Sequence, residues 1–288
     1  MSAAAVLDVV PVRVPERSWR SEARAVRTVW WRDLVRFSTD RMSIMSWLIQ
    51  PLLFLFVLGP GLQTLSEPST GGVDLTTFMF PGTVCMVLMF SAIFSAASLV
   101  WDRELGFLRE MMVAPVRRSS IILGKCLGGT TIATSQGVIV LALAGLVDVP
   151  YDPVLLLGLF GLVLLIAFTI TAFGVMVAVT IKQARTFTSV VQMLVFPMIF
   201  LSGALYPVSG LPTWLAVLNR LNPLTYAVDP MRRLVFARID ASDAARRTLD
   251  AGVTWFGWRV PTVVEVGIVL ALGVALLAVA VFRFTRTE

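Results

Sequence analysis

The sequence contains no histidine and only two cysteines, and 15% of its 288 residues are charged, where a soluble domain carries about 25%. Lack of histidine removes the commonest general base and the commonest metal ligand. Two cysteines cannot staple a disulfide-rich scaffold. Cys85 is expected toward the outer end of the second apolar run and Cys126 near the inner end of the third. That separation predicts two buried free thiols rather than a bridge. A phosphate-binding loop is missing too. The one Gly-Lys pair, Gly124-Lys125, is followed by Cys126 and lacks the earlier glycine that such a loop requires. No convergent set of acids, bases or metal ligands is visible, so a membrane-embedded enzyme is disfavoured.

What is abundant is apolar residues, 57% of the chain, giving a mean hydropathy of +0.83. This excludes a disordered chain and points to an integral membrane protein. A crossing helix needs roughly 20 apolar residues. The sequence offers six runs: Ile44–Leu65, Phe78–Val100, Ser120–Val147, Pro153–Ile181, Ser189–Val208 and Pro261–Phe282. Backbone groups in lipid must bond internally, so these are read as helices. A β-barrel would show short alternating segments instead. The first run lies too far along the chain, and is too long, for a signal-peptide core.

Basic loops alternate with loops that lack a base. Arg13, Arg17, Arg20, Arg24, Arg27, Arg32, Arg36 and Arg41 precede the first run, and Arg103, Arg109, Arg117 and Arg118 follow the second. Loop 66–77 and the turn at Asp148 and Asp152 have no base, while Lys182, Arg185, Arg283 and Arg286 return to the basic side. The positive-inside rule places both termini in the cytoplasm. Loop 209–260 conflicts, with Arg220, Arg232, Arg233, Arg238, Arg246, Arg247 and Arg259 against Asp229, Asp240, Asp243 and Asp250. An additional helix in that stretch is the alternative.

Residues 1–43 divide from the membrane part, 44–288, as a tail plus an amphipathic helix over 22–40. Val26, Val29, Trp30, Leu34 and Phe37 share one sector of that helix, and Asp33 intrudes on it. Trp30 and Trp31 beside Arg32 and Arg36 suit a cytoplasmic lipid interface. Pro51, after Gln50, predicts a kink in the first span. Phe90, Met193, Phe196 and Phe200 supply a soft apolar surface, read as packing or as a path for apolar ligands. Thr130, Thr131, Thr134, Ser135 and Gln136, next to Gly128-Gly129, suggest close helix contacts. Glu265 is the one acid well inside an apolar run. It either serves transport or reaches the outer interface and pairs with Arg259 or a loop arginine.

The most informative segment runs from Trp101 to Pro115. Trp101, Leu105, Leu108 and Met112 repeat at helical spacing with Met111 beside them, and Asp102, Glu104 and Glu110 read as solvated charges. Pro115 ends the helix. An apolar ridge with charged flanks suits either a partner's groove or the lipid surface.

Three motifs carry a resemblance. Arg103-Glu104-x-Gly106-x-Leu108 with Met111-Met112-x-x-Pro115, Gln50-Pro51-Leu-Leu-Phe, and Asn222-Pro223-Leu224-Thr225-Tyr226 with Asp229 and Arg232 occur in order. Together they resemble the permease subunits of ABC-2 exporters, with the drug-exporting, daunorubicin permease-like branch the nearest. The resemblance implies an all-α membrane protein of six spans, with an N-terminal interfacial helix, a cytoplasmic coupling helix and re-entrant outer helices before the last span. It implies that residues 101–115 contain the coupling helix that contacts a nucleotide-binding ATPase subunit, which would hold ATP and Mg. This chain itself would hold no cofactor or metal, have no catalytic residue and bind no nucleic acid. A second permease, identical or not, and membrane lipids complete the expected partners, in a bacterial plasma membrane. The alternatives are a polysaccharide or glycolipid exporter and an ion-gradient-driven transporter. The latter commonly uses midplane charge and repeats, of which little is visible.

Overall fold

The computed structural model describes residues 18–61, 74–113, 116–206, 212–239, 252–255 and 258–287. The molecule is mostly helical. Helix α1 spans Trp19–Thr39; Ser18 caps it, accepting from Arg20 N–H, while Ser21 reaches back to the Ser18 N–H. Helix α2, Arg41–Leu53, contains Pro51 and widens into a π-turn at Phe54–Leu58. A proline removes one helical N–H, and a π-turn is one way a helix absorbs such a break.

Helix α3 spans Leu75–Glu104, 30 residues, about 45 Å at the helical rise. That exceeds the roughly 30 Å of a hydrocarbon core, so one end must protrude. It is buried over most of its length and forms the centre of the fold. The short helix α4 covers Phe107–Val113, and α5 covers Arg118–Ala142. Helix α6 spans Pro153–Thr180 and α7 spans Ala184–Leu201. Two short helices, α8 (Thr213–Leu221) and α9 (Thr225–Phe236), precede a two-residue hairpin and the last helix, α10 (Thr262–Thr287).

Helix α3 packs against α5, α6 and α7, and α6 packs against α10. Among the described residues, four helices, α3, α6, α7 and α10, are long and apolar enough to cross a membrane. Helix α5 has the length, at 25 residues, but Lys125 and the Thr130–Gln136 run dilute its apolar character. Cys85 and Cys126 are buried and free, as expected.

The two ends of the bundle differ. At one, Thr77 Oγ1 donates to Val147 C=O and Arg238 pairs with Asp152, so the start of α3, the turn between α5 and α6 and the segment just after α9 meet there. Two arginines of the conflicting stretch, 209–260, have acids beside them: Arg238 meets Asp152, and Arg233 meets Asp229 and Glu265. Helices α8 and α9, of 9 and 12 residues, are too short to cross a bilayer. The opposite end gathers the start of α1, the α3–α4 corner and the α6–α7 turn.

Helix α1 packs part of its apolar face on α5, with Val29 and Asp33 buried there. Its contacts with α5 advance together, from Glu22 on Arg117 and Ser120 to Val29 on Gly124 and Asp33 on Gly128, so the two helices run in the same direction. A Cβ at Gly124 would lie 2.7 Å from Val29 Cβ, and one at Gly128 would lie 3.1 Å from Asp33 Cβ. Small residues four apart give the close approach that such contacts need.

Candidate functional site

The site is built at the corner between α3 and α4. Helix α3 ends at Glu104, and the Gly106 N–H bonds back to the Arg103 carbonyl at 3.2 Å. Gly106 has φ of +84°, a conformation that glycine adopts without steric cost. The single helix expected over Trp101–Pro115 is therefore broken here. The apolar ridge does not remain on one face: Leu108 is buried, whereas Leu105, Phe107 and Val113 are 65%, 49% and 86% exposed. Met111 and Met112 are half-buried, and Pro115 lies outside the described residues.

Arg103 and Glu104 hold a second turn in place. Arg103 Nη1 donates to the Ala178 and Ile181 carbonyls at 3.1 and 3.0 Å, at the end of α6. Glu104 Oε1 accepts from the Ala184 N–H at 2.7 Å, at the start of α7. Helix ends leave carbonyls and N–H groups without partners, and the macrodipole favours a cation at the first and an anion at the second. The pair thus fastens the α6–α7 turn to the α3–α4 corner.

Asp102, read as a solvated charge, is 2% exposed. Its carboxylate meets Lys125 of α5 at 2.7 Å and Arg32 of α1 at 2.5 Å, with Arg36 at 3.4 Å. Lys125 also bonds Asp33 of α1 at 2.9 Å and Ser98 of α3 at 2.8 Å. Arg32 further donates to Met111 Sδ, and Arg36 lies over the Trp101 ring. Arg32 and Arg36 accordingly face protein acids rather than lipid headgroups alone. Trp30 is half-buried, with its N–H on Thr131, and Trp31 is 60% exposed. From sequence, Lys125 stood out only as the lysine of the Gly124-Lys125 pair. The usable signal was Asp33, an acid on an apolar helix face, which needs a buried cation beside it.

At the far end, the Asn222 motif closes broken backbone. Asn222 Nδ2 donates to the Met198 carbonyl and Asn219 Nδ2 to the Leu201 carbonyl, both at 2.6 Å, capping the last turn of α7. Asn222 Oδ1 accepts from Leu224 N–H, and Tyr226 O–H donates to the Arg220 carbonyl. Pro223 sits between them and, with Leu224, lines a small apolar cavity. Arg232 donates to the Gly203 carbonyl and stacks 4.1 Å from the Phe78 ring centroid. Arg233 joins Asp229 at 2.5 Å and Glu265 at 3.3 Å. Glu265 is thus fully buried beside Arg233. We predict that Asn222→Ala costs about 1–3 kcal/mol by leaving buried groups unmatched, read as a fall in thermal unfolding temperature.

The residues named for a substrate path separate. Phe90 and Phe196 line one cleft of about 160 Å³ with Gln50 and Gln192. Met193 and Phe200 point outward, 75% and 50% exposed, and Glu265 belongs to the Arg233 cluster.

The profile described as ABC-2 type transporter matches residues 24–236. The transport permease ycf38 of Cyanophora paradoxa is 29% identical over 207 residues, covering 70% of this chain and 71% of its own. Nodulation protein J of Rhizobium leguminosarum bv. trifolii is 29% identical over 213 residues, 72% and 79% of the two chains. The multidrug ABC transporter permease YbhR of Escherichia coli K12 is 28% identical over 164 residues, 56% of this chain and 44% of that one.

Proposed function

The chain belongs to the ABC-2 type transporter family, and from that premise we propose that it is the permease subunit of an ATP-driven exporter of apolar or amphipathic compounds. Family membership supports a multi-pass membrane permease that works with an ATP-binding subunit. ATP and Mg would be held by that subunit. The spans in this reading are α2 with its π-turn, α3, α5, α6, α7 and α10. The basic end, with α1, α4 and both termini, faces the cytoplasm of a bacterial cell. A second permease, identical or related, covers part of the exposed apolar surface, and lipid covers the rest.

The observation that carries this reading is the form of the α3–α4 corner. Its root is braced by Arg103 and Glu104, while Leu105 just before the glycine turn and Phe107 and Val113 beyond it stand exposed. A rigidly rooted apolar edge is what a helix-in-groove contact requires. The ATPase can shift the permease between inward- and outward-facing states only through contacts that differ between them. The Phe90–Phe196 cleft, apolar with two glutamines at its border, suits an amphipathic cargo.

The test is purification of the tagged chain in mild detergent with assay of what accompanies it. A stoichiometric ATPase that is lost in Leu105→Asp/Val113→Asp, with the permease still monodisperse, is the expected result. Both residues are exposed, so the substitution leaves the core untouched. A chain that emerges folded and without any ATPase overturns the reading in favour of a gradient-driven transporter.

A further inference from the structure

The geometry points to Lys125 as a positioning residue whose charge joins α1 to the coupling corner, so that α1 moves with α4 when the ATPase changes state. This rests on the permease reading above. Lys125 has a side chain 1% exposed and is bonded to three side chains from two other helices: Asp33 on α1, and Asp102 and Ser98 on α3. Asp102 lies one helical turn before the glycine turn into α4. A displacement of α4 therefore reaches Asp102 through less than two turns of chain.

Three features distinguish this from a passive ion pair. The first is convergence. Asp102 meets cations from both α1 and α5, so neither helix can leave it without exchanging partners. The second is incompleteness. Asp33 Oδ2 is buried and has no hydrogen-bond partner among the described residues, facing the position of Gly128. A carboxylate held by one oxygen can turn onto a cation with the other, as an element with two arrangements requires. The third is the packing around it. Gly124 and Gly128 flank Lys125 on α5 and bring the α1 backbone close, so the two helices separate or slide as bodies rather than deform. Arg32 and Arg36 can retain Asp102 when Lys125 moves toward Asp33, which gives the joint its second arrangement.

The experiment is hydrogen exchange on the intact permease–ATPase complex, nucleotide-free and trapped with ATP and vanadate. In the wild type, trapping is expected to change exchange across 107–113 and 19–39 together. In Asp33→Asn the change at 107–113 persists, and the change at 19–39 falls about fivefold or more, the low end of ordinary coupling factors. That variant keeps Lys125 paired with Asp102 and Ser98, so its buried charges stay matched. The double variant Asp33→Asn/Lys125→Met gives the same result, and Lys125→Arg retains the wild-type response. A merely structural role would alter exchange equally in both nucleotide states. A wild-type response confined to 107–113, or an α1 response unchanged in the two asparagine variants, overturns the joint. Loss in Lys125→Arg as well assigns the effect to packing at that position and overturns it too. Absence of any co-purifying ATPase removes the permease reading, and the joint with it.

Discussion

Lys125→Met is expected to destabilise the folded chain by about 3 kcal/mol, more than any other single substitution considered for this protein. Removing one partner of a buried pair typically costs about 3–5 kcal/mol because the other charge is left uncompensated. Here the value sits at the low end. Asp102 keeps Arg32 at 2.5 Å and Arg36 at 3.4 Å, so the exposed carboxylate in energetic terms is Asp33. Its remaining cation is Arg32 at 3.6 Å, and its second oxygen has no hydrogen-bond partner among the described residues. Neutralising Asp33 in the same chain removes that uncompensated charge. Asp33→Asn/Lys125→Met is therefore expected to recover most of the loss, giving a favourable coupling between the two positions. Thermal unfolding in detergent, followed for both single variants and the double, reads this cycle. Equal and additive losses would contradict the arrangement described.

These residues also mark where sequence reading stops. The six apolar runs, the free thiols and the short amphipathic segments follow from composition and period, because lipid and core both select for apolar faces. The period also located α1, since Val26, Val29 and Trp30 recur at helical spacing. It did not show that α5 packs on part of that face, because a 3.6-residue period is the same whether a face meets lipid or a neighbouring helix. Gly124 and Gly128 held the missing information: glycines four apart let a second backbone approach. Asp33 was legible as an anomaly, and anomalies of local pattern concentrate where a site is built. Its cation Lys125 was not legible as a partner, since 92 residues separate the two, and pairing at that distance is set by the tertiary fold. At the coupling segment the spacing of Trp101, Leu105, Leu108 and Met112 was real, but one glycine with positive φ between Leu105 and Phe107 redistributes those side chains. Glu265 shows the converse case. A buried acid needs a cation, and Arg233 stands within reach.

Glu104→Arg is expected to leave the chain in the membrane while abolishing coupled transport. The substitution removes the acceptor of the Ala184 N–H and sets a cation at the N-terminus of α7, where the macrodipole opposes it. Loss of the cap alone costs about 1 kcal/mol, which is small against a bundle whose core lies around α3. The effect on mechanism is larger than the effect on stability, because Arg103 and Glu104 bridge two ends that no hydrogen bond of their own helices connects. Arg103 fixes the end of α6, Glu104 fixes the start of α7, and both side chains grow from the last turn of α3. Reversing Glu104 leaves α6 tethered and frees α7, the helix that carries Phe196 into the cleft. A push on α4 would then tilt α3 without carrying α7 along. The expected signature is an ATPase subunit still bound and still hydrolysing ATP at its basal rate, with substrate-stimulated hydrolysis and transport lost. Glu104→Gln keeps a carbonyl acceptor in the same place and is expected to retain both. If Glu104→Arg transports as the wild type does, the α6–α7 turn is not held through this contact. If the glutamine variant fails as fully as the arginine one, charge rather than the cap governs the corner.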